Sequence, residues 1–237
     1  NSILYMGTPN SKISAGSYDL NKWLFGGYDS DIITVIYGGS GAGKTNFCMM
    51  TAVSQAKKGN KVLFIDTEGG FSTERVKQLS PENYQDTLKN IFLLKPTNFI
   101  EQKDVFKRIN EYLKKEVSLI IVDGMTILYR LDVANARNQD EKAIQSINTE
   151  LAEQMRTLAE IARKREIPII VTNQVYRWEE AQKMVGGDIL KYWGKCLIEV
   201  VYEKGRRTVF LRKHRSLPEK SLDFQITNEG IKKKGWI

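Results

Sequence analysis

Apolar runs of five or six residues return along the chain at 32–37 (IITVIY), 61–66 (KVLFID), 90–94 (NIFLL), 118–123 (SLIIVD) and 167–172 (IPIIVT). Continuous apolar runs of this length predict strands buried on both faces, as in parallel sheets. Between them the apolar positions shift to helical spacing. Segment 45–58 carries Phe47, Met50, Val53 and Ala56 and stops at Gly59. Segment 98–115 carries Phe99, Val105, Phe106, Ile109 and Leu113 behind Asn98 as a helix cap, and further helices are predicted at 72–79 and about 139–165. Such alternation predicts an α/β fold, a mostly parallel twisted sheet flanked by helices. After about residue 195 the pattern changes. CLIEVVYEKGRRTVFLRKHR reads as a hairpin at the sheet edge and SLDFQITNEGI as a further strand, so the C-terminal part is predicted antiparallel. Residues 1–16, polar with little periodicity, read as a tail or linker, which leaves 17–237 as one core domain.

Composition narrows the classes of function. With 41% hydrophobic residues the chain can fill a core. No apolar run approaches the ~20 residues of a membrane span, and the start lacks the basic-then-apolar layout of a signal peptide, so a cytoplasmic protein is expected. Cys48 and Cys196 lie in apolar segments without metal-ligand spacing and read as core residues. His214 is the single histidine, which argues against a zinc site or histidine catalysis. A net charge of +8 suits a polyanionic partner.

The densest chemical signal is VIYGGSGAGKTNF, residues 35–47. It completes the pattern G-x-x-x-x-G-K-[ST] between a predicted strand and a predicted helix. Glycines let successive N–H groups turn inward around phosphate oxygens, at a helix start that favours negative charge. Gly38, Gly39, Ser40, Gly41, Ala42, Gly43, Lys44, Thr45 and Asn46 are therefore expected to wrap a nucleoside triphosphate. Lys44 would reach its terminal phosphates and Thr45 would ligate Mg²⁺. A second Mg²⁺ anchor should be an acid ending an apolar strand, and Asp123 in LIIVDG is placed for it. FIDTEGGF offers Asp66 and Glu68 at another strand end, where a carboxylate either deprotonates an attacking water or is a solvated loop acid. IIVTNQV places Asn173 and Gln174 at the same edge, where an amide could sense a γ-phosphate. The following stretch interleaves Tyr176, Trp178, Tyr192 and Trp193 with Arg177, Lys183 and Lys191. Such a Gly-hinged segment suits stacking on single-stranded bases, or it is a lid whose aromatics pack internally.

GGSGAGKT, FIDTEGGF, LIIVDGMTILYR, REIPIIVTNQV and GGDILKYWGK…EVVY, in that order, resemble the ATPase core of the RecA/RadA recombinase superfamily, most nearly its archaeal RadB branch, over about residues 14–232. The resemblance implies a RecA-like P-loop ATPase core with ATP and Mg²⁺ as cofactors and DNA as partner, single strands favoured. It also implies association through neighbouring ATPase cores, with itself or with a recombinase. Gly38 to Thr45 would be the Walker A loop, Asp123 the Walker B acid and Glu68 the water-activating glutamate. Gln174 would sense the γ-phosphate and head a second DNA-binding loop, about 175–188, containing Arg177, Trp178 and Lys183. YRLDVANARNQDEKA would hold the first, with Arg130 and Arg137 as its basic members.

The chain departs from that pattern in places. Gly124 follows Asp123 where strand-exchange members usually carry serine, the second loop is short, and the core is expected to stand without the helix–hairpin–helix domain of full recombinases. LRKHRS precedes LPE where RadA-type proteins usually have an aspartate and a proline. These departures weigh against full strand exchange more than against ATP binding, and the leading reading is an ATP-binding protein of homologous recombination and DNA repair, of RadB type, with slow hydrolysis and an accessory role. Lys213 and Arg215, two residues apart at an expected strand end, would point to one side; the resemblance, in which this region lies over a neighbour's nucleotide, implies that they reach in trans to its γ-phosphate. The alternatives there are a solvated basic strand end or a DNA phosphate contact. Two other readings of the whole chain stay open. One is a KaiC-like signalling ATPase or kinase, a branch that usually pairs adjacent glutamates where Glu68 stands between Thr67 and Gly69. The other is a scaffold that binds ATP without hydrolysing it.

Overall fold

The apolar runs at 32–37, 61–66, 118–123 and 167–172 bury both faces of their strands, whereas the run at 90–94 forms an edge strand in which only Ile91 is fully buried. The computed structural model of the chain describes residues 11–114, 116–136, 141–178 and 181–235, with backbone alone for 177, 178 and 181–183. The N-terminal half comprises β1 (Lys12–Ile13), α1 (Tyr18–Trp23), β2 (Tyr28–Asp29), β3 (Ile33–Gly38), α2 (Lys44–Ala56), β4 (Lys61–Asp66), α3 (Thr73–Leu79), α4 (Tyr84–Lys89), β5 (Ile91–Leu94), α5 (Phe99–Lys107) and α6 (Ile109–Leu113). Then come β6 (Val117–Asp123), α7 (Ile127–Ala136), α8 (Glu141–Arg165), β7 (Ile169–Trp178), β8 (Ala181–Met184) and α9 (Gly187–Trp193). The chain closes with β9 (Gly194–Glu203), β10 (Arg206–Lys213), β11 (Lys220–Thr227) and β12 (Gly230–Lys233).

The large sheet has the order β12-β11-β10-β9-β3-β7-β6-β4-β5, with β8 paired to β7. Strands β9, β3, β7, β6, β4 and β5 run parallel, and the C-terminal strands β10 to β12 run antiparallel. Alternate residues separate onto two cores. Val62 and Phe64 of β4 pack with Leu119 and Ile121 of β6 against Phe47 and Met50 of α2. Leu63 and Ile65 pack with Ile120 and Val122 against Phe99, Leu151, Met155 and Leu158 of α5 and α8. No helix among the described residues is long and apolar enough to cross a membrane.

Several boundaries differ from the sequence expectation. The single helix expected over 98–115 is divided at Arg108, whose φ of −98° and ψ of 6° close α5 before α6 begins. Asn98 caps α5 by accepting from the Glu101 N–H at 2.9 Å. The C-terminal hairpin does not begin at the sheet edge, because β9 lies directly beside β3, and SLDFQITNEGI supplies two strands, β11 and β12. The expected tail over 1–16 is also altered. Residues 1–10 lie outside the described residues, but β1 pairs antiparallel with β2, and Ala15 is buried. Gly27 makes this pairing possible: at φ +120°, a Cβ there would stand 1.9 Å from the Ile13 carbonyl oxygen.

Asp29 of β2 binds this N-terminal hairpin to the far end of the chain. Its carboxylate lies 3.3 Å from Lys12 Nζ, 3.2 Å from Arg215 Nε and 3.4 Å from His214 Nε2. Burial by itself would push the carboxyl up, but His214, Lys12 and Arg215 outweigh it and hold it at about 2. A depressed carboxyl stabilises the fold above its unfolded value near 4, and the contribution is lost as pH falls through about 2. Asp29→Asn should therefore lower unfolding free energy at neutral pH by roughly 2 kcal/mol. Denaturant titrations across pH should show the gap from wild type closing between about pH 4 and pH 2. A gap that stays constant across that range would refute the assigned ion cluster.

Candidate nucleotide site

β3 delivers the glycine turn and α2 receives it. Gly43 precedes the first turn of α2 at φ +113°, and no side chain caps that helix start. Lys44 is buried, and its Nζ donates to the carbonyls of Gly38 and Gly39, each at 3.0 Å. Burial pulls the Lys44 ammonium down from its ordinary value, while the carboxylates of Glu68 and Asp123 work the other way. The lysine is thus curled over the turn with acids facing it.

Asp123 ends β6 fully buried, directly opposite Asp66 in the parallel ladder. One of its oxygens, Oδ1, accepts from Thr172 Oγ1 at 2.7 Å, whereas buried Oδ2 has no hydrogen-bond partner among the described residues. A Cβ placed on Gly70 would lie 3.2 Å from Thr45 Oγ1 and 3.5 Å from Asp123 Oδ2, so these two oxygens border one small space. A hydroxyl and an otherwise unpartnered carboxylate oxygen fit Mg²⁺, which takes one or two protein oxygens and completes its shell with phosphate and water. Burial raises the Asp123 carboxyl, against the hydroxyls of Thr172 and Thr45. A bound divalent ion would relieve that cost.

The two acids of FIDTEGGF have separate tasks. Asp66 accepts from the backbone N–H groups of Gly69 (2.8 Å), Gly70 (3.1 Å) and Phe71 (3.0 Å), and so shapes the turn after β4. Glu68 stands free of that turn, with Oε1 accepting from Gln174 Nε2 at 3.3 Å. Partial burial, then the charge of Asp123, push the Glu68 carboxyl up. Gly124 leaves room for it. Its φ is +93°, and a Cβ there would meet Thr67 Oγ1 at 2.4 Å and Glu68 Cγ at 2.6 Å. In this chain, then, the turn as built has no room for a side chain at position 124.

β7 contributes three consecutive polar residues, and strand alternation divides them. Thr172 donates to Asp123 and accepts from the Gly124 N–H at 2.8 Å, while Gln174, on the same side, reaches Glu68. Asn173 turns the other way: its Oδ1 accepts from Thr126 Oγ1, and its Nδ2 donates to the Val185 carbonyl at 2.8 Å. A cleft of about 250 Å³ brings together loop residues Ser40, Gly41 and Gly43–Asn46, Glu68, and, from the C-terminal strands, Arg207 and Ile226. Thr172, Arg207 and Ile226 were not foreseen. A threonine one residue before an Asn-Gln pair was a usable signal for the first; nothing local marks the other two, because a sheet fold-over brings them there.

The remaining expected residues are placed as follows. Arg130 is exposed on α7 and lines a second cleft, about 400 Å³, with Tyr129, Val133, Tyr176 and Val185. Arg137 lies outside the described residues. Of the expected loop at 175–188, the described residues pair as β7 with β8, Tyr176 opposite Lys183 and Trp178 opposite Ala181, and α9 begins at Gly187. Arg177 and Trp178 ride on β7 and Lys183 on β8. Lys213 and Arg215 do not project as a free pair. Lys213 Nζ donates to the carbonyls of Lys191 (3.2 Å) and Gly194 (3.1 Å). Arg215 holds Asp31 bidentately at 2.7 and 2.6 Å, and Asp29 at 3.2 Å. A shift of pairing register before Lys213 and the end of β10 send the two chains to different partners.

Residues 10–234 match the model of the Rad51 family. The chain is similar to proteins named DNA repair and recombination protein RadB. That of Methanococcus maripaludis (strain C7) is 37% identical over 213 residues, covering 90% of this chain and 96% of its own. That of Methanobrevibacter smithii is 37% identical over 233 residues, covering 94% and 96%. That of Methanocaldococcus jannaschii is 35% identical over 212 residues, covering 90% and 98%.

The crowding at Gly124 is open to test. Gly124→Ala combines a left-handed backbone with two close contacts and should cost roughly 1–3 kcal/mol in denaturant unfolding. Wild-type stability in that variant would mean the turn rebuilds freely and the glycine is incidental.

Proposed function

We propose that this chain, which belongs to the Rad51 family, is a RadB-like protein of DNA recombination and repair whose cleft binds and slowly hydrolyses ATP in support of a main recombinase. The observation that carries the nucleotide reading is convergence: Lys44, Thr45, Asp123, Glu68 and Gln174, from four strand ends, meet around one glycine turn. In this reading the loop N–H groups and Lys44 hold the polyphosphate, and Lys44 leaves the Gly38 and Gly39 carbonyls to do so. Thr45 and Asp123 hold Mg²⁺, which would neutralise charge on the phosphate oxygens. Glu68 takes a proton from water as its oxygen bonds to the γ-phosphorus and the bond to the bridging oxygen breaks, with ADP leaving. Gln174, already on Glu68, orients that carboxylate and registers whether the γ-phosphate is present.

DNA is proposed to lie along the cleft beside α7 and the paired strands β7 and β8, where Arg130 supplies charge and Tyr176 a stacking face, with Arg177, Trp178 and Lys183, whose backbone lies on those two strands, proposed as further contacts. Single strands suit stacking faces of this kind. Self-association, or docking on a recombinase through the ATPase core, and a cytoplasmic location complete the reading.

Lys44→Ala should abolish ATP binding in a fluorescent-nucleotide titration, whereas Glu68→Gln should retain binding and stop turnover. Unaltered turnover in the Glu68 variant would remove it from the chemistry. Single-stranded DNA should accelerate turnover in the wild type; phosphorylation of the protein itself, with no response to DNA, would favour the signalling reading. DNA affinity should fall steeply with salt, with a log–log slope of about −0.7 per phosphate neutralised. A flat response would assign the basic surface to a protein partner.

A further inference from the structure

Arg207 is set apart from the other arginines of the C-terminal sheet. Arg206 pairs with Asp223, Arg212 with Glu199 at 2.6 Å, and Arg215 with Asp31 at 2.6 Å. Arg207 has no carboxylate partner among the described residues, and its buried Nε has no hydrogen-bond acceptor. A buried guanidinium nitrogen left unpaired is costly unless something else meets it.

Its position is fixed by the sheet. β9 runs parallel to β3 with Val200 opposite Gly38, so Tyr202, two residues on, extends level with the glycine turn. Arg207 faces Tyr202 across the β9–β10 ladder, and its guanidinium carbon lies 4.0 Å from the tyrosine ring centroid. On its other side it faces Phe224 of β11. Stacking holds the guanidinium plane while leaving its N–H groups open at the rim. That rim is the wall of the 250 Å³ cleft, shared with Ser40, Gly43, Lys44 and Asn46. Ile226, two residues beyond Phe224, closes the same wall by packing on Gly43, whose added Cβ would come within 2.9 Å of its Cδ1.

We propose that Arg207 is a nucleotide-contact residue, a second cation that the C-terminal sheet supplies in cis to the polyphosphate held by the glycine turn. This rests on the reading that the cleft binds a nucleoside triphosphate. Arginine suits the task because its planar fork meets phosphate oxygens through several N–H groups, while Lys44 acts as a single point charge. The arrangement also makes the β9–β11 strands part of the nucleotide site, so bound nucleotide stiffens them against the turn.

The experiment titrates wild type, Arg207→Ala, Arg207→Gln and Arg207→Lys with a fluorescent ATP analogue and with inorganic tripolyphosphate as competitor. Arg207→Ala and Arg207→Gln should each weaken both ligands about tenfold or more, and Arg207→Lys should recover part of the loss. Thermal melting of the unliganded proteins checks folding, and Arg207→Gln, which keeps length and polarity, carries the test if the alanine variant melts early. Equal affinity in wild type and the folded variants would overturn the proposal. So would weakened ATP with unchanged tripolyphosphate, which would move the contact to the base or sugar. A wild type that binds neither ligand would overturn the nucleotide reading itself, an outcome distinct from loss in the variants alone.

Discussion

Because the central strands are buried on both faces, most of their polar chemistry collects where their parallel pairing ends. The parallel register then decides which ends meet. Gly38 lies level with Gln174 and Val200, and Asp66 lies level with Asp123, so the glycine turn, both acids and the amide share one edge. An antiparallel neighbour would carry its end to the opposite edge. This is the physical reason that ligands gather at the carboxyl ends of parallel strands.

At that edge burial opposes charge of both signs. Asp123, Glu68 and Lys44 are all disfavoured in their charged forms by burial. Thr172 satisfies one oxygen of Asp123 and fixes the other toward Thr45, so the carboxylate is aimed before any ion arrives. Thr67 seals the back of the site by donating to the Gly124 carbonyl at 2.6 Å. Preorganised oxygens of this sort need no rearrangement when a cation and phosphates enter.

The same strand end faces two ways. Thr172 and Gln174 serve the acids, while Asn173 between them fastens Val185, just after β8. The Val185 N–H returns a bond to the Gln174 carbonyl at 3.2 Å. Gln174 and Asn173 thus tie the Glu68 carboxylate and the start of the 184–187 segment to adjacent positions of one strand; in the proposed reading, a change in how Gln174 meets a nucleotide would be felt first at that segment.

Periodicity and motif spacing determined the α/β class, most strand positions and the phosphate-binding turn, because those depend on local physics: two-faced burial for the runs at 61–66 and 118–123, and backbone freedom for Gly38 to Gly43. The roles of Asp66 and Glu68 could not be separated from their shared strand end, since only the turn they shape or leave decides between them. The antiparallel pairing of 175–178 with 181–184 has no sequence signal, because interleaved aromatic and basic residues mark a surface without stating its backbone. Lys213 and Arg215 read as a free pair because alternation alone ignores the partners that Asp31 and the Gly194 carbonyl provide. Arg207 and Ile226 carried no local signal at all. Tertiary structure decided them, because a cleft wall is made by strands that fold back onto a turn far earlier in the chain, and sequence spacing holds no record of that approach.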